Sequence, residues 1–261
     1  MDLDPQLTAL RPLGVFFALR TTPPTAPEGA PARPLPTLAQ AYRAEPAASP
    51  VSADAHGDPL ARRVGRVARA LRVPEPRVAA SLAQQGLAAR LWSVALGCAV
   101  LYGRRPDLAP ELLRWDPDGS APDDLWLTEV RARPGDAQSL AAAVLHGHLE
   151  PLAAALRARH RVAPGLLRGN AASALAGTAR QLEGWARANG RPDAAARSRA
   201  LTAELLAHPL LAGAGTPTAT PAGTAFRRRS CCLYYRVPGG GVCGDCCFPR
   251  PPRPFLRGPS G

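Results

Sequence analysis

The sequence predicts a mainly α protein: a helical domain with one small β-hairpin and a C-terminal cysteine-rich loop. Three observations carry this. Apolar residues recur at spacings of three and four through residues 60–206. Alanine is abundant along the same stretch, which favours helix and allows helices to approach closely. Five of the six cysteines lie between Cys231 and Cys247, in a segment rich in glycine.

Proline and the apolar pattern set the organisation. Residues 1–59 read as an N-terminal strand, 13–19, followed by an extended segment in which nine of the 30 prolines fall between 21 and 59. Residues 60–213 read as the helical domain. Its first helix spans 60–73, with Leu60, Val64, Val67 and Leu71 on one face, and Pro74 and Pro76 stop it. A second helix runs over 77–103. The clusters Leu112-Leu113-Arg114-Trp115 and Leu125-Trp126-Leu127-Thr128 flank the turn residues Asp116-Pro117-Asp118-Gly119, which predicts the hairpin. A third helix, 137–161, aligns Leu140, Val144, His148, Leu152 and Leu156. A fourth, 170–188, takes Asn170 as its N-cap and Asn189-Gly190 as its stop. A fifth starts at Pro192. Residues 214–226 read as a linker, 227–250 as the cysteine segment, and 251–261 as a disordered Pro/Arg-rich tail.

Composition excludes several classes. The 261 residues carry 32 basic and 20 acidic side chains, a formal charge of +12, yet no lysine at all. Arginine is spread over the whole chain rather than along one helix, so the charge is no nucleic-acid footprint. The longest strongly apolar stretch, 91–102, is shorter than the roughly 20 residues of a membrane span. No secretory signal is read at the N-terminus, so the expected compartment is the cytoplasm.

Few residues outside the cysteine segment invite chemistry. His146 and His148 stand two apart on a helix and face different ways, so one is expected against the core and the other in solvent. Cys98 is expected to be a small buried hydrophobe. Gly239-Gly240-Gly241 lacks the Gly-Lys-Ser/Thr of a phosphate loop. No serine sits in a nucleophile elbow.

The cysteine segment has the spacing C-C-x10-C-x2-C, with Cys247 as one extra. In a cytoplasmic chain such density points to metal or redox chemistry rather than disulfides. Four thiolates satisfy either a tetrahedral zinc or an iron–sulfur cluster, and spacing alone leaves both open. Arg227, Arg228, Arg229 and Arg236 flank the cysteines. They either balance a negative cluster or attract an acidic donor or an anionic chelate.

The stretch from Arg227 to Cys246, Arg-Arg-x-Ser-Cys-Cys-Leu-Tyr-Tyr-Arg-x-Pro-Gly-Gly-Gly-x-Cys-Gly-Asp-Cys, resembles the C-terminal signature of FhuF-type ferric-siderophore reductases. Ala88-Ala89-Arg90-Leu91-Trp92-Ser93 and the segment Leu166-Leu167-Arg168-Gly169-Asn170-Ala171-Ala172-Ser173 are similar to that family's helical parts. The resemblance implies a cytoplasmic [2Fe-2S] protein that reduces iron(III) in hydroxamate-type siderophores. It implies Cys231, Cys232, Cys243 and Cys246 as the metal and cofactor ligands. Cys247 stands where the family has an apolar residue and is the alternative last ligand. Arg168 stands where the family has tryptophan. With no nucleotide or flavin fingerprint, the expected partners are a ferric siderophore and an external electron donor such as ferredoxin, with no nucleic acid and no membrane span. The rival readings are an iron–sulfur redox or iron sensor and a zinc-stapled binding module of a siderophore pathway.

Overall fold

The computed structural model of the chain describes residues 4–21, 35–43, 58–220 and 223–252. Most of the proline-rich stretch, and the tail from 253, lie outside these residues. Short helices α1 (Asp4–Ala9) and α2 (Leu38–Arg43) precede two longer ones, α3 (Pro59–Leu71) and α4 (Pro76–Tyr102). Four short strands follow: β1 (Arg104–Pro106), β2 (Leu113–Trp115), β3 (Leu125–Leu127) and β4 (Ala132–Pro134). The chain is then helical through α5 (Ala137–Leu140), a π-helical stretch (Ala141–Leu149) and α6 (Glu150–His160). Helices α7 (Pro164–Ala188) and α8 (Pro192–Ala207) lead to strands β5 (Gly215–Thr220) and β6 (Gly223–Arg228).

Sequence explains the helix ends. The Asp58 carboxylate accepts from the N–H groups of Leu60 and Ala61 at 2.9 and 3.1 Å, and Pro59 opens α3 where no donor is needed. Helix α4 stops at Gly103, whose φ of 69° suits glycine. Helices α4 and α7 form the central pair, flanked by α3 and α8. The Ser93 and Thr178 hydroxyls meet at 3.2 Å inside that contact. The buried core is continuous from Leu7 to Val237. Among the described residues, no helix is long and apolar enough to cross a membrane.

The expected hairpin is present as β2–β3, with Leu113 opposite Leu127 and Trp115 opposite Leu125. A second antiparallel pair, β1–β4, frames it. Three expectations need correction. Residues 13–19 form a 3-10 turn (Arg11–Leu13) and further turns, not a strand; Arg20 makes only an isolated bridge to Trp126. The reason is Arg90. It is buried on α4 beside Asp124, and its guanidinium takes the carbonyls of Val15, Phe16 and Ala18. The backbone is satisfied by this cation instead of a ladder. Gly97 completes the fit, since a Cβ there would stand 3.0 Å from the Phe17 ring. Asn170 does not cap α7: the helix starts six residues earlier at Pro164, and Asn170 lies buried inside it. Lastly, the linker 214–226 carries most of the β5–β6 hairpin. Glu183, buried on α7, accepts from the Thr224 hydroxyl at 2.7 Å and its N–H at 3.2 Å, and Phe226 is buried.

The two histidines divide as expected. His146 is exposed and bonds Glu150 across one turn, while His148 is fully buried. The Tyr42 hydroxyl meets His148 Nδ1 at 2.8 Å, and Nε2 lies 2.5 Å from the Leu108 carbonyl. A neutral ring satisfies both, with Nε2–H donating and Nδ1 accepting. Burial lowers the ring to about 4 from its usual 6.5. The unfolded chain therefore binds the proton first. Stability should be unaffected by this group above pH 6.5 and fall between pH 6.5 and 4, by about 3 kcal/mol in all. Urea titrations at pH 7 and pH 4.5 should show the fall, and it should shrink in His148→Gln.

Candidate functional site

The cysteine segment is irregular backbone held against a ridge of small residues. Gly165, Gly169, Ser173 and Gly177 recur at spacing four along α7 and share one face. The Gly165 carbonyl accepts from the Ser230 hydroxyl at 2.8 Å. A Cβ on Gly169 would collide with that hydroxyl and stand 3.0 Å from the Arg228 guanidinium. The Ser173 hydroxyl donates to Asp245 at 2.5 Å, and Arg180 pairs with the other Asp245 oxygen at 2.8 Å. From α4, the Ser81 hydroxyl donates to the Cys232 carbonyl at 2.8 Å.

Arg228 ties these parts together. It ends β6, with 2% of its surface exposed. One terminal nitrogen donates to Asn170 Oδ1 at 2.6 Å and to the Leu166 carbonyl at 3.3 Å, and Nε donates to the Ser230 carbonyl at 3.1 Å. Asn170 passes the chain of bonds on, donating to the Ser81 carbonyl at 2.9 Å. The Arg228 N–H donates to the Asp245 carbonyl at 2.9 Å, so both cysteine pairs hang on one residue. The second terminal nitrogen of Arg228 is buried and has no partner in the protein.

The five cysteines of the segment lie near one another without converging on one point, while Cys98 lies buried in α4 with its thiol pushed up to about 12 by burial. Cys232 neighbours both Cys231 and Cys243. Cys231 is held below the ordinary thiol range, first by its Cys232 neighbour and then by the Leu233 N–H, 3.2 Å from its sulfur. Cys243 is raised, first by the proton it shares with Cys232 and then by burial. Cys247 is raised mainly by burial and contacts Cys246. The Phe248 N–H reaches the Cys246 sulfur at 3.4 Å. The Arg228 charge favours the thiolate forms of Cys232, Cys243 and Cys247. Among the described residues, no three His, Cys, Asp or Glu side chains converge as ligands of a single ion. The sulfurs are spread.

Two cavities bear on chemistry. A groove of about 310 Å³ opens beside Cys243-Gly244-Asp245 and is walled by Phe16, Gln85, Thr178 and Arg180. A cavity of about 400 Å³ lies between α4, the π-helical stretch, α6 and α7, and includes Arg168. No thiol lines this second cavity. The sequence singled out the cysteines. It missed Ser81, Asn170, Ser173 and Asp245 as the groups that dock them; the four-residue spacing of Gly165, Gly169 and Ser173 was the available signal.

Residues 228–248 match the family model described as the FhuF 2Fe-2S C-terminal domain. A search of curated proteins returned no match. The family match supports the FhuF-type 2Fe-2S family and a [2Fe-2S] cluster as the cofactor. It points to an iron–sulfur, siderophore-associated function. The residues fit such a cofactor. The donors are soft thiols, two N–H groups already face sulfur, and the charge of the buried Arg228 favours the thiolate forms of Cys232, Cys243 and Cys247.

Proposed function

We propose that this protein is a cytoplasmic oxidoreductase that passes one electron to iron(III) in a hydroxamate-type siderophore and so releases iron(II). The observation that carries the reading is the all-cysteine segment docked on α4 and α7 with a groove open at Cys243. Cys231, Cys232, Cys243 and Cys246 are the proposed ligands, with Cys247 as the alternative to Cys246. Residues 60–213 serve as the body and 227–250 as the redox segment.

When bound, the cluster supplies electrons one at a time. The rest falls to the side chains. Arg228 balances the negative charge of four thiolates from a buried position. The Ser173–Asp245–Arg180 chain fixes the loop between Cys243 and Cys246. Cys243 forms the groove wall, so the chelate can sit against a ligand sulfur. Iron(III) is a hard ion held by oxygen donors, and iron(II) is softer and held less tightly by them. No proton needs to move for the transfer, and no acid or base is assigned. The electron comes from an external carrier such as a ferredoxin.

The test uses the holoprotein reduced with dithionite and freed of excess. A ferric trihydroxamate should reoxidise it, one electron per chain, and an iron(II) trap should collect matching iron. The gallium(III) complex has the same shape and should leave the protein reduced. If several ferric siderophores leave it reduced while oxygen oxidises it readily, the reductase reading fails and a redox sensor takes its place.

A further inference from the structure

Soluble surfaces scatter their large apolar side chains, so a gathering of them marks a contact site. Among the described residues, the exposed large hydrophobics are Val15, Phe16, Tyr234, Val242 and Phe248, each between 37% and 53% exposed. Tyr234, Val242 and Phe248 lie on the cysteine segment, Phe16 lines the groove beside it, and Val15 precedes Phe16 in the chain. Phe16 walls the groove with Cys243, Val242 precedes Cys243 in the chain, and Phe248 follows Cys247. Phe248 also packs edge-on to Tyr235, with ring centroids 6.2 Å apart.

Positive charge accompanies these apolar residues along the segment. The segment 227–250 holds five arginines and one acidic residue, Asp245. Asp245 is buried and already paired with Arg180. Arg228 faces inward. Arg227, Arg229, Arg236 and Arg250 are exposed. Arg227 reaches back to the Cys247 carbonyl at 3.3 Å, which places its charge at the cysteines. Arg236 is partly spent on Glu75 at 2.6 Å. Apolar centre and arginine rim together describe a protein interface of one sign.

We infer that this face is the docking surface for a small acidic electron-carrier protein, with Val242 and Phe248 at its centre and Arg227 and Arg229 at its rim. The inference rests on the reading that an outside carrier supplies the electron. The partner's reduced centre loses one electron and the docked chain's oxidised centre gains it, with no atom transferred. Opposed charge would speed the encounter, and the apolar centre would exclude water close to the sulfurs.

The probe is a pre-reduced plant-type [2Fe-2S] ferredoxin, an acidic protein, mixed with the oxidised holoprotein in stopped flow. The second-order rate of electron transfer should fall at least tenfold as salt rises from about 20 to about 500 mM, because screening acts on exposed charges. The double variant Arg227→Glu/Arg229→Glu should be at least tenfold slower at low salt, with the salt dependence flattened. Val242→Asp should be slower at every salt concentration. Reoxidation of each variant by a neutral ferric trihydroxamate should match that of the unaltered protein, so failure of docking and failure of the reductase reading are told apart. A rate in the unaltered protein that does not respond to salt overturns the inference without any variant. So does an unchanged rate in both variants when their visible spectra show the cofactor retained.

Discussion

Serine in place of Cys232 or Cys243 should remove the visible chromophore and reduce both bound iron and acid-labile sulfide from about two per chain to near zero. The alkoxide that serine offers is a harder and poorer partner than thiolate for iron–sulfur. These two positions should show the largest effect, because Cys232 is the buried centre of the thiol chain between Cys231 and Cys243. Serine at Cys231 or Cys246 should lose or strongly alter the spectrum. Cys98→Ser should leave it intact: that thiol is sealed inside α4, far up its titration range, and touches none of the others. Cys247→Ser discriminates between ligand sets. An intact spectrum supports Cys246 as the fourth ligand, and a lost one transfers the role to Cys247. Stoichiometric zinc without labile sulfide in the unaltered protein would sink the iron–sulfur assignment altogether.

The helices were legible because burial of one face leaves a period in the sequence. Leu60, Val64 and Leu71 define α3 to within a residue or two. What periodicity does not carry is the partner of a buried polar group. Asn170 precedes an apolar stretch, as an N-cap does, and only the packed structure shows it bonded to Arg228 and Ser81. Residues 13–19 have the apolar and aromatic character of a strand. Their carbonyls go to Arg90, which is more than 70 positions away. In the site, the thiols announced themselves by number and spacing. Their supports did not, since a lone serine on an alanine-rich helix looks like any solvated position. Arg228 was hidden most completely, as one arginine among three in a row, of which the two neighbours point to solvent.

That middle arginine should matter twice over. Replacing Arg228 by Gln removes a buried charge and strips donors from Asn170 Oδ1 and from the carbonyls of Leu166 and Ser230. Each orphaned acceptor costs about 1–3 kcal/mol, so a loss of roughly 3–5 kcal/mol is expected in denaturant titration. The cation also favours the reduced, more negative state of the centre it faces. The midpoint potential should therefore fall in Arg228→Gln, by at least the ~59 mV that corresponds to a tenfold change for one electron. Arg228→Lys separates the two roles. Its ammonium keeps the charge but cannot span the same acceptors as the planar fork, so stability should drop while the potential stays near that of the unaltered protein. An unchanged midpoint in Arg228→Gln, measured on protein that retains its spectrum, would show that the charge does not act on the redox centre and that Arg228 serves only to dock the loop.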